Sequence, residues 1–418
     1  MAVLKNKNLK LDLDYVRSQF PAFNDKLAKN WSFFENAGGS YVPQNVIDKL
    51  TEFMISTKVQ PYAEYPMSKF AGQNMDKAIN LFSKMINANE NEILIGGSTS
   101  INLYVLSNAL KKFISYGDEI IVTNQDHEAN ISPWRRLSEI GANVIEWKIN
   151  TKSGELEIND LENLINKNTK ILAVTHCSNI VGSVNDLKRI SDIAHRHNVF
   201  VIGDGVSFAP HGFPDVKELG VDFYTFSLYK TYGPHLALMY GREEILKELP
   251  NQNHEFLEGQ YPYTINPGGP NHEELSSLIG IYDYFNNLYN HHYSDTSIEI
   301  NEKIFKVNKL ISDHEEYIAN PVLEAIHSNK NLNLIGKNKI INKNRAPTIS
   351  FTSNIKTSKE ISQILVNENI ATRNDNFYAW RCLKALGINT DDGVVRLSMV
   401  HYNNIEESIK LVKVLNAI

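Results

Sequence analysis

The stretch Phe223–His235, "FYTFSLYKTYGPH", sets one lysine after a run of large apolar and aromatic residues. Phe223, Tyr224, Phe226, Leu228 and Tyr229 are five of the seven residues before Lys230, a density expected of a strand buried on both faces. An ammonium at the end of such a strand either snorkels to water or loses its charge and reacts. The neighbouring text bears on the choice. "VFVIGD", Val199–Asp204, is a second continuous apolar run that also ends on a charged residue. One connecting unit separates the two runs, and strands joined in this way are usually neighbours. Alone, Asp204 reads as a cap or turn former. Beside Lys230 it reads equally as a carboxylate placed to face the same crevice.

The pattern continues outward in both directions. "EILIGG", "DEIIVTNQ", "ANVIEWKI", "KILAVTH", "DFYTFS" and "LALMYG" are further candidate strands. "INLYVLSNALKKF" and "DLKRISDIAHRH" have helical periodicity. Continuous apolar strands alternating with helices predict an α/β fold with a mainly parallel sheet covered on both faces. Such sheets bind ligands outside the carboxyl ends of their strands. After about residue 290 the text changes to a long helix ("NEKIFKVNKLISDHEEYIANPVLEAI"), short strands ("TISFT", "VVRLSMV") and a last helix. The expected organisation is a large domain over 26–290 and a smaller α+β domain over 291–418, joined by the N-terminal segment 1–25.

Composition bounds the function. The chain has 418 residues, is 42% hydrophobic and 22% charged, and carries a net charge of −6, which is ordinary for a globular protein. No basic stripe points to nucleic acid. The N-terminus has no apolar signal region, and no run approaches the ~18 apolar residues of a membrane span. The two cysteines, Cys177 and Cys382, make no disulfide framework. No metal-ligand pattern stands out. A cytoplasmic protein without a membrane or nucleic-acid partner is expected.

Each strand end offers a polar group. In "GGSTSINLYVL", Ser98 and Thr99 stand where a helix begins, which suits a phosphate as well as a plain N-cap. The Lys-Ser/Thr pair of a P-loop is missing. "NQDHEANISPW" offers His127, either a structural residue or a group to stack on a ring or move a proton. "THCSNIVGS" offers Asn179, either a turn residue or an amide that orients an oxygen. Arg396, in "GVVRLSMVHYN", is an edge-strand charge or a carboxylate clamp. A phosphate, a pyridine nitrogen, an aldehyde, an aromatic ring and a carboxylate would together use all of these groups. Pyridoxal 5′-phosphate (PLP) with an amino-acid substrate presents all five.

The ordered series "GGSTSIN", "DHEANISPW", "THCSNIVGS", "DGVSFAPH", "SLYKTYGPH", "GGPN" and "VVRLSMVHYN" resembles the class V aminotransferases of PLP fold type I. Within them it is most similar to the cysteine desulfurase-like subgroup, and "FFENAGGSYVP", which contains Gly38, fits as well. The resemblance implies a homodimer with shared active sites. It implies that Lys230 carries the cofactor as a Schiff base, Asp204 pairs with the ring nitrogen and His127 stacks on the ring. Ser98, Thr99 and Ser227 would hold phosphate, Gly269 would reach the phosphate of the partner subunit, and Asn179 and Arg396 would hold the substrate carboxylate. The departures are as informative. Tyr229 replaces the histidine often found before the lysine, and Ser207 replaces a glutamine. In "RNDNFYA", Arg373–Ala379, Tyr378 stands where desulfurases carry their catalytic cysteine. Cys382 falls in helical text and Cys177 at a strand end, both expected to be packing residues. The expected activity is therefore that of a lyase on a small α-amino acid, of the β-elimination or C–S cleavage type. An aminotransferase or epimerase is the alternative, and a non-catalytic scaffold a lesser one.

Overall fold

The structure is a computed structural model and describes residues 10–418. Residues 1–9, assigned above to the small domain, lie outside the described residues. The strands are β1 (Ser32–Phe33), β2 (Ile93–Gly96), β3 (Glu119–Thr123), β4 (Asn143–Trp147), β5 (Thr169–Thr175), β6 (Phe200–Asp204), β7 (Phe223–Ser227) and β8 (Ala237–Gly241). The C-terminal part adds β9 (Leu332–Leu334), β10 (Thr348–Ser353), β11 (Ile370–Ala371), β12 (Arg373–Asp375) and β13 (Val394–Ser398).

The main sheet has the order β2-β8-β7-β6-β5-β3-β4. Five of its strands run parallel to their neighbours from β4 to β7, while β8 runs antiparallel to both β7 and β2. The pleat explains why these strands are apolar throughout. Successive side chains point to opposite faces, and each face has its own core. Ile120, Val122, Ile171, Ala173, Ile202 and Phe223 join Leu103, Leu106 and Trp134 on one side. Ile121, Leu172, Val174, Val201, Tyr224 and Phe226 join Phe82, Leu187 and Tyr284 on the other. At about 25 cal/mol per Å2 of apolar surface, each fully buried side chain of this kind contributes roughly 1.5–3 kcal/mol.

A second sheet, β12-β13-β10-β9, is antiparallel. The helix Ile300–Ser328 joins the two layers. Its Ile304, Val307 and Ile311 lie in the main core, whereas Ile318, Val322 and Ile326 pack on Ile349, Phe351 and Leu397 of the small sheet. β1 pairs in parallel with β11, so the segment before the main sheet is tied to the C-terminal part. Among the described residues no helix is long and apolar enough to cross a membrane.

Because β2, β3, β5, β6 and β7 point the same way, their carboxyl ends converge on one edge. Thr175 lies opposite Asp204, and Asp204 opposite Thr225. The loops that leave this edge carry most of the candidate residues.

Candidate active site

β7 ends at Ser227 and the chain tightens into the short turn Leu228–Lys230. That turn brings the half-buried Lys230 into a cavity of about 120 Å3 lined by Ser98, Thr99, His127, Asn179, Asp204, Ser207 and Ser227, together with Cys177 and Tyr229. Asp204 is only 4% exposed. Its Oδ1 accepts the backbone N–H of Val206 at 2.9 Å, so it shapes its turn and faces the cavity as well. Burial pushes the Asp204 carboxyl up to about 6, against the Val206 N–H and the Lys230 charge. Burial and then the charge of Arg396 push the Lys230 amine down to about 8, against Asp204 and Glu35. A lysine so placed is much closer to its free-base form at neutral pH than an ordinary one, which favours both nucleophilic and proton-transfer chemistry.

The hydroxyls gather at a helix start. Ser98 caps the helix Thr99–Leu110, its Oγ accepting the Ile101 N–H at 3.2 Å. Thr99 Oγ1 and Ser227 Oγ are 2.8 Å apart and buried. One hydroxyl from the helix start and one from the end of β7, beside free N–H groups of a twelve-residue helix, form a site whose chemistry suits a phosphate.

His127 follows β3. Its Nδ1 accepts the Ala129 N–H at 3.0 Å, which leaves the proton on Nε2. Burial, then the charges of Lys230 and Arg396, push its imidazole down to about 3, so the ring is neutral. The sequence reading overlooked its neighbour Asp126, buried at 1% exposure. Asp126 accepts from Thr123 Oγ1 and, at 2.7 Å, from Asn130 Nδ2. It thereby folds the loop that presents His127. Burial raises this carboxyl to about 8. Its position beside His127 in "NQDHEAN" was the available signal.

Arg396 is not an edge charge. β13 lies between β12 and β10, and Arg396 is 4% exposed. Its Cζ sits 3.6 Å from the centroid of the Phe377 ring, and its Nη1 makes one long contact, 3.4 Å, with the Asn179 carbonyl. The other large buried guanidinium, Arg345, donates to the carbonyls of Lys337, Ala346 and Thr348 and is a structural brace. Arg396 has most of its donors without protein partners. One N–H of the Asn179 side chain goes to the Phe377 carbonyl at 3.0 Å, and its buried Oδ1 has no partner among the described residues.

Of the other expected residues, Tyr378, Gly38, Gly269 and Cys382 lie apart from the cavity, while Cys177 is in its wall. Tyr378 is 66% exposed, with its ring 5.2 Å from that of His127. Gly38 belongs to a segment docked on the lysine turn through the Ser40 N–H, which donates to the Tyr229 carbonyl at 3.1 Å. A side chain at Gly38 would run into the Glu35 carboxylate. Gly269 is elsewhere, in a left-handed turn (φ 69°) beside a separate cavity of about 820 Å3. Cys382 sits at 0% exposure in the helix Trp380–Ala385, and Cys177 at 1%. Burial pushes both thiols up to about 12, which leaves them without thiolate character.

A depressed lysine, a buried carboxylate, a neutral imidazole and a phosphate-type hydroxyl cluster at the carboxyl edge of a parallel sheet form the donor set that PLP requires. Comparison with known proteins agrees. Residues 32–261 match the family model for aminotransferase class-V. The chain is 34% identical over 415 residues to the aminotransferase-like protein FGM3 of Gibberella zeae, covering 97% of this chain and 98% of that one. It is 28% identical to a cysteine desulfurase of Yersinia pseudotuberculosis, covering 96% of each. Among solved structures, an apo cysteine desulfurase from Thermococcus onnurineus superimposes with a TM-score of 0.84 at 23% identity over 98% of both chains. The cysteine desulfurase CsdA of Escherichia coli gives 0.81 at 22% identity over 97% of this chain and 98% of that one. At that identity the two structures speak for the fold alone. The chain belongs to the class V aminotransferase family and is a PLP-dependent enzyme.

Proposed function

We propose that the protein is a lyase acting on a small α-amino acid, related to the cysteine desulfurases but forming no persulfide on itself. The observation that carries this reading is the state of its thiols. Both cysteines are buried with their pKa values raised to about 12, and the residue at the cysteine's place in the matching loop is the exposed Tyr378. Sulfur abstraction needs a thiolate at a near-attack distance of ~3–3.5 Å, whereas elimination needs only a base at Cα and an electron sink.

In this reading Ser98, Thr99 and Ser227 hold the phosphate, and Gly269 of a second copy of the chain reaches it across a homodimer. Asp204 would pair with the ring nitrogen, with Ser207 nearby, and the neutral His127 would stack on the ring. PLP, when bound, supplies the electron sink that stabilises negative charge at the substrate Cα. Lys230 holds the cofactor covalently at rest, then takes the Cα proton. Arg396 and Asn179 grip the α-carboxylate and so orient the bond to be broken. Gly38 and Tyr378 would add substrate contacts from the segments docked on the lysine turn and on the His127 loop. With cysteine the balance is cysteine plus water giving pyruvate, ammonia and sulfide. Transamination uses the same groups, and the aminotransferase-like relative at 34% identity makes it the second reading. The setting we infer is cytoplasmic.

The test is a product assay on cysteine and related amino acids with the holoenzyme, measuring sulfide, pyruvate, alanine and keto acids together. Pyruvate and sulfide in equal amounts support the lyase. Alanine with a stoichiometric protein persulfide overturns it, and a keto acid without a leaving group selects the aminotransferase.

A further inference from the structure

Phe377 and Tyr378 both have left-handed backbones, with φ of 51° and 57°. Two consecutive non-glycine residues in that region are strained and persist only where their surroundings hold them. Three bonds from the main domain do so. Asn179 Nδ2 donates to the Phe377 carbonyl at 3.0 Å, the Glu128 N–H to the Tyr378 carbonyl at 2.8 Å, and Arg381 Nε to Glu128 Oε1 at 2.6 Å. Within the loop after β12, Tyr378 N–H donates to Asn376 Oδ1 at 3.0 Å. The result is that the Phe377 ring, 5% exposed, has the Arg396 Cζ over its face, 3.6 Å from the ring centroid, while its carbonyl fixes the Asn179 amide.

We propose that Phe377 is the positioning residue for substrate carboxylate recognition, acting through Arg396 and Asn179. This rests on the reading that those two residues grip an α-carboxylate. A guanidinium without a carboxylate partner is otherwise free to swing. The ring blocks one face and leaves the in-plane N–H fork open, which is the geometry that binds a carboxylate in bidentate fashion. The backbone strain is what points the ring inward and not to solvent.

The experiment compares wild type, Phe377→Leu, Phe377→Met and Phe377→Tyr as holoenzymes. L-Cysteine, L-serine and L-alanine are each titrated against their amides, following the cofactor absorbance and, where turnover occurs, KM and kcat. Thermal midpoints show which variants fold. The expected result is about tenfold weaker binding of the acids in Phe377→Leu and Phe377→Met. Binding of the amides, which lack the carboxylate, and kcat should stay within about twofold, and Phe377→Tyr should restore wild-type affinity. Equal loss for acids and amides, or no loss for the acids, overturns the proposal. If no amino acid perturbs the wild-type spectrum, the proposed function itself fails and this inference with it, an outcome distinct from the other two.

Discussion

Replacing Lys230 by methionine in the cofactor-free protein should make the fold more stable, with a pH dependence that identifies the cause. The amine is pushed from an ordinary 10.5 down to about 8 by burial and by Arg396. At about 1.4 kcal/mol per tenfold change in proton affinity, this corresponds to roughly 3 kcal/mol for carrying the charge in the folded state. Lys230 is only half-buried, so solvent screening reduces the expected figure to about 1–2 kcal/mol. The sign follows from proton counting. Below pH 8 both folded and unfolded wild type carry the proton, and the folded state bears the full cost. Between pH 8 and 10.5 the unfolded chain holds a proton that the folded one has released, so wild-type stability rises with pH relative to the variant. The Lys230→Met advantage is therefore complete at pH 7 and shrinks through pH 8 towards 10.5. Urea unfolding of both proteins at pH 7 and pH 9.5 measures it; titrating groups that do not feel the Lys230 charge cancel in the difference, whereas Asp204 and His127 feel it. A variant that is less stable than wild type at pH 7, or a difference that does not change with pH, would refute the argument.

Three further outcomes follow from the same geometry. Asp204→Asn should leave the thermal midpoint of the apo-protein intact or higher, since a carboxyl pushed up to about 6 by burial is replaced by a neutral group. Steady-state turnover should fall by about a hundredfold, the usual loss when one preorganised charge is removed from an active site. Arg396→Ala should weaken binding of α-carboxylate substrates by about 10- to 100-fold, from the roughly 1.5–3 kcal/mol of a charge-assisted bidentate pair, read as KM. Cys382→Ser and Cys177→Ser should keep nearly full activity per folded molecule, and mass spectrometry after cysteine treatment should find no added sulfur at either position.

The sequence made some of this legible and hid the rest for physical reasons. β7 and β6 could be read because burial on both faces forces a continuous apolar run, and the polar residue that ends such a run stands out, as Lys230 and Asp204 do. The reversal of β8 could not be read, because an apolar run looks the same in either direction. β1 and β11, two residues each, are too short to show a period. Phe377 and Tyr378 gave no sign of their left-handed backbone, since it is imposed by bonds from Glu128 and Asn179, residues distant in sequence. Gly38 and Gly269 became candidates only through the family resemblance, and neither lines the cavity around Lys230.

The contact between Thr99 and Ser227 closes a loop of 128 residues, and the edge strand β2 pairs with β8. During synthesis, β2 leaves the ribosome long before its partner exists. A nascent chain that has just passed Lys230 already contains Asp204 and that lysine, yet the hydroxyls of Thr99 and Ser227 cannot be held together until β8 has emerged and inserted between β2 and β7. Arg396 arrives later still. Cofactor capture is thus a late event in the life of the polypeptide, and a nascent chain stalled before β8 would have its reactive lysine exposed with no phosphate anchor beside it.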